Sequence, residues 1–162
     1  MININKNLLS LYVHWPYCET KCPYCDFNSH VIEPIDKDDW IKCYTNQLYE
    51  TQVILAKYNV EYDGLDTIFF GGGTPSLMPL GIMESILNTS SKIFNFNKNI
   101  EITLEANPSS YEKDKFRDIK QLGINRLSLG VQSLNNKNLK FLGRKHNYKD
   151  AKTAIELATN TF

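Results

Sequence analysis

The chain has 162 residues, 42% of them hydrophobic and 22% charged, with 18 Lys and Arg balanced by 18 Asp and Glu. This composition suits one globular domain, 1–162, and a formal net charge of zero gives a nucleic-acid backbone or an anionic membrane surface little to attract. No apolar run approaches the roughly 20 residues of a membrane span, and the N-terminal MININKNLLSLYVHW leads into Pro16 rather than a small-residue cleavage site. A soluble, cytoplasmic protein with no nucleic-acid partner and no transmembrane segment is expected. Four cysteines without a secretory signal point to thiolate chemistry in a reducing compartment.

Short β-rich runs alternate with helical stretches. Residues 8–15 (LLSLYVHW) read as a first strand. Asp36 then caps a predicted helix over 37–58, where Trp40, Tyr44, Leu48 and Leu55 recur at helical spacing. Cys43 lies alone in this helix and reads as a small, partly buried thiol. A second strand over 66–70 (DTIFF) precedes a helix over 79–94, with Pro79 in its first turn and Met83, Ile86 and Leu87 inward. A third strand, 100–106 (IEITLEA), leads to a helix opened by a capping-box pattern at Ser109 and Glu112 and stopped by Gly123. A fourth strand is expected over 126–132 (RLSLGVQ). The last helix, 148–158, carries Ala151, Ala154, Ile155 and Ala158 on one face, after which residues 159–162 leave the helical pattern and no fifth strand follows.

Such alternation implies an α/β fold with parallel strands, either a doubly wound sheet or a (β/α) barrel. Both place function at the C-terminal ends of strands. The unusual residues lie there: three cysteines after strand one, GGGTPS after strand two, EANP after strand three and Gln132 at the end of strand four.

The segment YVHWPYCETKCPYC spaces its thiols as Cys-x3-Cys-x2-Cys. Thiolates are the usual ligands of a [4Fe–4S] cluster, which takes four for full closure. With three, one iron keeps an open position, as catalytic metal sites do. A zinc site completed by His14 or His30 and a redox dithiol at Cys22 and Cys25 are the alternatives, and the dithiol has no use for Cys18. GGGTPS also invites comparison with a phosphate-binding loop, but no Lys-Ser/Thr follows and Pro75 lacks the amide such a loop needs. Glu105 is an isolated acid in an apolar strand, costly unless paired or hydrogen-bonded.

The motifs YVHWPYCETKCPYCDF, FFGGGTPS, EITLEANP, LSLGVQS and FLGRKH, in this order from Leu11 to about Ala158, resemble the radical S-adenosylmethionine (SAM) superfamily. Within it the chain is most similar to the anaerobic coproporphyrinogen III oxidase family and its HemW-like heme chaperone branch. The resemblance implies a partial (β/α) barrel of the radical SAM type, with about four parallel strands and truncated before the fifth. It implies a [4Fe–4S] cluster on Cys18, Cys22 and Cys25, whose open iron takes the amino and carboxylate groups of SAM and whose electron breaks a carbon–sulfur bond to give a 5′-deoxyadenosyl radical. The SAM contacts it implies are Tyr12; Tyr24, packed on the adenine; Gly72, Gly73 and Thr74, whose exposed N–H groups would grip the amino acid end; and Glu105, Gln132 and Arg144.

The oxidases of this group carry a further cysteine two residues beyond the third, where this chain has Phe27. Asp26-Phe27 follows the HemW-like pattern. The resemblance therefore implies a heme chaperone, which in its complete form binds heme, passes it to an acceptor protein and draws on an electron donor. Oxidative decarboxylation of coproporphyrinogen III is the alternative. The heme-associated motif of the family lies in a C-terminal region beyond these residues, so none of His14, His30 and His146 is assigned to heme, and the chain is expected to be a truncated member.

Overall fold

The computed structural model describes residues 7–162, apart from the side chains of residues 110–114. In chain order it comprises β1 (Leu8–Trp15), β2 (Tyr17–Cys18), β3 (His30–Val31), α1 (Lys37–Lys57), β4 (Gly64–Gly72), a 3-10 turn at Pro75–Leu77, α2 (Leu80–Phe94), β5 (Phe96–Ala106), α3 (Ser110–Gln121), β6 (Arg126–Leu129), α4 (Asn136–Phe141) and α5 (Tyr148–Thr161). β1, β4, β5 and β6 form one parallel sheet in that order, and β2 and β3 make a separate pair. Parallel neighbours need crossover connections, which α1, α2 and α3 supply. The α/β class and the four strands are those expected from the sequence.

Several boundaries differ, each for a local reason. β6 ends at Leu129, three residues early, because the backbone turns back on itself: the Val131 amide donates to the Leu129 carbonyl and the Ser133 amide to that of Val131. Gln132 thus lies beyond the strand. Pro79 is the N-cap of α2 rather than part of its first turn. α5 runs on to Thr161, so residues 159–161 are helical after all, and Phe162 packs edge-on against Phe116. Ile155 is 41% exposed, while Ala151 and Ala154 are fully buried, so the inward stripe is narrower than its periodicity implied. Cys43 is exposed rather than partly buried. The Asp36 cap is present, accepting from the amides of Asp38 and Asp39. Glu112 of the expected capping box lies outside the described residues. α4 and the β2–β3 pair are too short to carry a periodic signal.

The described chain divides into two compact units, residues 7–11, 34–68 and 79–101 in one and residues 12–33, 69–78 and 102–162 in the other. In the first, α1 packs on α2, and Leu48, Leu65, Ile82, Met83, Ile86 and Phe94 are buried. In the second, Trp15, Phe70, Leu104, Phe116, Ile119 and Ile124 form the core, with α3 against α5. The second unit contains the C-terminal ends of β1, β4 and β5 and the whole of β6. Along β5, Ile102, Leu104 and Ala106 are buried, and the two-residue period sends Thr103 and Glu105 to the other face. There Thr103 stands opposite Arg126 and Glu105 opposite Ser128 in the register with β6. No helix among the described residues is long and apolar enough to cross a membrane.

Phe70 is 0% exposed and Phe141 is 86% exposed. Phe70→Ala should cost about 3–5 kcal/mol in urea unfolding, and Phe141→Ala should stay within about 0.5 kcal/mol of the parent. Equal costs would mean that the core is misassigned.

Candidate functional site

The cysteine loop is closed at its base. Tyr17 and Cys18 pair in parallel with His30 and Val31, through amide bonds from His30 to the Pro16 carbonyl (2.7 Å) and from Ile32 to that of Cys18 (2.8 Å). Inside the loop the Cys25 amide donates to the Cys22 carbonyl at 3.0 Å, a tight turn that brings these two residues round the same bend. Lys21 Nζ donates to the carbonyls of Phe27 (3.3 Å) and Ser29 (3.2 Å), tying the tip to the returning strand. His14 Nε2 lies 3.0 Å from the Asn28 carbonyl; a carbonyl only accepts, so this nitrogen carries the hydrogen.

The glycine turn after β4 is shaped by the chain beside it. A Cβ on Gly71 would meet the Tyr12 ring at 2.8 Å, one on Gly72 the His14 ring at 2.7 Å, and one on Gly73 the Tyr17 carbonyl oxygen at 2.6 Å. Gly72 also has φ +114°, a conformation that side chains rarely adopt. All three amides of the turn are used within the protein: Gly72 donates to Glu105 Oε2 (3.1 Å), Gly73 to the Trp15 carbonyl (2.7 Å) and Thr74 to the Tyr17 carbonyl (2.8 Å). The expectation that these N–H groups grip a ligand is corrected on this point. Missing side chains let the turn lie flush against the entry to the cysteine loop, and its amides lock it there.

Glu105 accepts the Gly72 amide and is half-buried, and this burial holds its carboxyl above the usual carboxylate range, with the amide bond opposing. The Tyr12 hydroxyl is likewise raised, by burial first and then by the nearby Glu105 charge. Arg144 reaches in from the loop after α4. Its Nη1 donates to Cys22 Sγ (3.3 Å), and its Nη2 donates to the Gly130 carbonyl (2.9 Å) and to Asn107 Oδ1. Asn107 Nδ2 continues to Thr74 Oγ1 at 3.1 Å. Arg144 Nε is buried without a hydrogen-bond partner among the described residues. Gln132 sits at φ +62°, bridged by the Ser133–Val131 hydrogen bond of 2.7 Å, the strained hand of the γ-turn. A non-glycine residue held so costs of order 1–3 kcal/mol, and such positions cluster at functional sites. His146, buried behind it, donates Nε2–H to the Val131 carbonyl (3.0 Å), and burial lowers its pKa.

Most of these groups line one cavity of about 310 Å³ within the second unit, a size suited to a small-molecule ligand. Cys18, Cys22, Cys25, Tyr24, Gly72, Gly73, Thr74, Glu105, Gln132 and Arg144 all line it. Tyr12 does not: it is 57% exposed, stacks on Phe69 and reaches the site through Glu105. The thiols are spread round the wall, and among the described residues no three His, Cys, Asp or Glu side chains converge on a single-ion site. Lys21, Asn107, Ser128 and Gly130 also line the cavity and were not singled out from the sequence. Asn107 and Gly130 do lie within the EANP and LSLGVQS motifs, so only their roles were hidden.

The model of the radical SAM superfamily matches residues 12–161. The chain is 44% identical over 153 residues to the heme chaperone HemW of Haemophilus influenzae, covering 93% of this chain and 39% of that protein. It is 43% identical over 152 residues to HemW of Escherichia coli, again covering 39% of the relative. To the mitochondrial radical S-adenosyl methionine domain-containing protein 1 of Danio rerio it is 39% identical over 149 residues, 92% of this chain and 32% of the relative. The chain therefore spans about two fifths or less of the length of these relatives. The structure of the coproporphyrinogen III oxidase HemN of E. coli superposes with a TM-score of 0.81 at 24% identity, covering 96% of this chain and 35% of that one, which shows a shared fold.

Two outcomes follow from this geometry. Gly73→Val should displace the cysteine loop, because the clash is with the Tyr17 backbone, and should abolish any SAM-induced change in the EPR spectrum of a reconstituted cluster; an unchanged response would contradict the packing. Burial raises the Glu105 pKa, so its charged form is disfavoured in the folded state and folding is favoured at low pH. Glu105→Gln should therefore stabilise the ligand-free chain at about pH 7 and lose that gain towards about pH 4. A gain independent of pH would refute the burial argument.

Proposed function

This chain belongs to the radical SAM superfamily, and we propose that the cavity at the strand ends holds the [4Fe–4S] cluster and the SAM that the family implies. One observation carries the assignment: three thiols from one closed loop line the same cavity as a half-buried carboxylate and a buried guanidinium nitrogen with no hydrogen-bond partner among the described residues. The donor set fits, since three thiolates leave one iron of a four-iron cluster open to a small ligand. When bound, the cluster supplies the electron that cleaves a carbon–sulfur bond of SAM.

The residues of the chain bind and orient. Cys18, Cys22 and Cys25 hold three irons. Glu105, steered by the Gly72 amide, accepts from a ligand amine or hydroxyl, and its burial, which raises its pKa, favours pairing with a cation. Arg144 Nε is the remaining donor for a carboxylate or ribose oxygen. With the amides of the turn already used, Gly72 and Gly73 would present carbonyl oxygens, acceptors suited to an ammonium group, while Thr74 braces the turn, its carbonyl accepting the Leu77 amide and its hydroxyl the Asn107 side-chain amide. The Tyr24 ring lines the cavity with a flat face for adenine, and Gln132 offers both donor and acceptor. Tyr12 contributes by flanking Glu105.

For the whole protein we propose a HemW-like role: binding heme and passing it to an acceptor protein, with an electron donor reducing the cluster. The 44% and 43% identities to heme chaperones support this reading, as does Phe27, which lines the cavity where the oxidases of the group carry a further cysteine. Four free cysteines suit a reducing compartment, and we propose the cytoplasm. The second reading, coproporphyrinogen III oxidation, draws on the fold shared with HemN.

Anaerobic reconstitution should give about four irons per chain. Cys18→Ala, Cys22→Ala and Cys25→Ala should each lose them, and Cys43→Ala should not. Full iron content in all three variants, or zinc in the purified protein, would contradict the assignment. Incubation with SAM, a reductant and coproporphyrinogen III should leave the porphyrinogen intact, and its decarboxylation would favour the second reading.

A further inference from the structure

The connections around Asn107 form a branched hydrogen-bond network across five segments of the second unit, with Arg144 reaching in from the loop after α4. Its Oδ1 accepts from Arg144 Nη2, and its Nδ2 donates to Thr74 Oγ1 at 3.1 Å. The orientation of the amide follows from chemistry, because guanidinium only donates. Arg144 in turn donates to the Gly130 carbonyl at 2.9 Å and to Cys22 Sγ at 3.3 Å. One amide therefore connects the glycine turn, the end of β5, the end of β6 and the cysteine loop. Thr74 is a firm anchor: it is buried, and its own amide is bonded to the Tyr17 carbonyl at 2.8 Å. Gly130 leaves room for the network, since a Cβ there would stand 2.9 Å from Asn107 Oδ1.

Resting on the cluster assignment above, we propose that Asn107 is a positioning residue that holds the Arg144 guanidinium against the Cys22 sulfur and thereby sets the reduction potential of the cluster. Arg144 has a long, flexible stem, and its fork stays in one orientation only while its acceptors hold it. Asn107 is the side-chain acceptor among them that lies outside the cysteine loop. A cationic donor at a ligating sulfur stabilises the more negative, reduced cluster, and hydrogen bonds to the sulfurs are among the determinants of iron–sulfur potentials. Partners of this kind, one step removed from the metal, change metal affinity or activity by about 10–100-fold when removed. Without Asn107 the guanidinium loses the acceptor that Thr74 holds in place and keeps the Gly130 carbonyl and the Tyr24 hydroxyl, and its contact with Cys22 weakens.

The test is a double-mutant cycle on the reconstituted chain without SAM, read as the midpoint potential of the cluster, iron content and urea unfolding. Asn107→Ala should lower the potential, Arg144→Ala should lower it at least as far, and Asn107→Ala in the Arg144→Ala background should add nothing. Gly130→Ala, which presses on the same amide, should shift the potential in the same direction. A merely structural role would alter unfolding and leave the potential and its non-additivity untouched. An unchanged potential in Asn107→Ala, or additive shifts, would overturn the proposal. Where alanine at 107 costs iron, Asn107→Ser replaces it; matched iron loss in the Asn107 and Arg144 variants supports the proposal, and loss confined to the Asn107 variants overturns it. Wild-type chain that holds no four-iron cluster would instead refute the cluster assignment, and this inference would fall with it.

Discussion

The site depends on how closely the turn after β4 lies against the end of β1. Two short amide bonds, Gly73 to Trp15 and Thr74 to Tyr17, fix the separation, at 2.7 and 2.8 Å. Three consecutive glycines permit it, since a Cβ on any of them would enter the atoms of residues 12–17. Tyr17 is also where the cysteine loop begins, paired with His30 at its return. The strand end, the turn and the loop base thus share one set of backbone contacts. A side chain at Gly73, which would meet the Tyr17 and Pro16 backbone, would push on the base of the cysteine loop.

The charges of the cavity are arranged round this frame. Glu105 is half-buried, and burial raises its carboxyl pKa against the opposing hydrogen bond from the Gly72 amide. Arg144 is directed at the Cys22 sulfur, the Gly130 carbonyl and Asn107, and its buried Nε–H has no partner among the described residues. Each is incompletely compensated by the protein, and burying such groups is costly unless a ligand completes them. The strained turn at Gln132 fits the same pattern, with local stability given up beside the cavity and recovered in the apolar core of the unit.

Much of this was legible in the sequence because it rests on residue types that only certain chemistries need. The three cysteines, the glycine turn and the acid in an apolar strand pointed to one site, and all of them line one cavity. Periodicity placed the four strands and the helices α1, α2 and α5 to within a few residues. What escaped has physical causes. β6 ends at Leu129 through two backbone turn bonds that LSLGVQS does not advertise. The amides of the glycine turn are used by Glu105, Trp15 and Tyr17, partners distant in sequence or hidden in another motif, so donors that looked open are not. Tyr12 stands behind Glu105 rather than in the cavity wall because the flat Gly71 lets its ring lie down. Asn107 has an ordinary residue type, and its place as a junction exists only in three dimensions.

In the proposed site Cys18, Cys22 and Cys25 would hold a cluster whose remaining iron is left for the amino acid end of SAM. Pulsed electron–nuclear double resonance on the reduced, reconstituted chain tests it directly, using SAM labelled with ¹⁵N at the amino group and ¹⁷O at the carboxylate. The account predicts hyperfine coupling of both labels to the cluster, lost in Gly73→Val. Bound SAM with neither label coupled would contradict it.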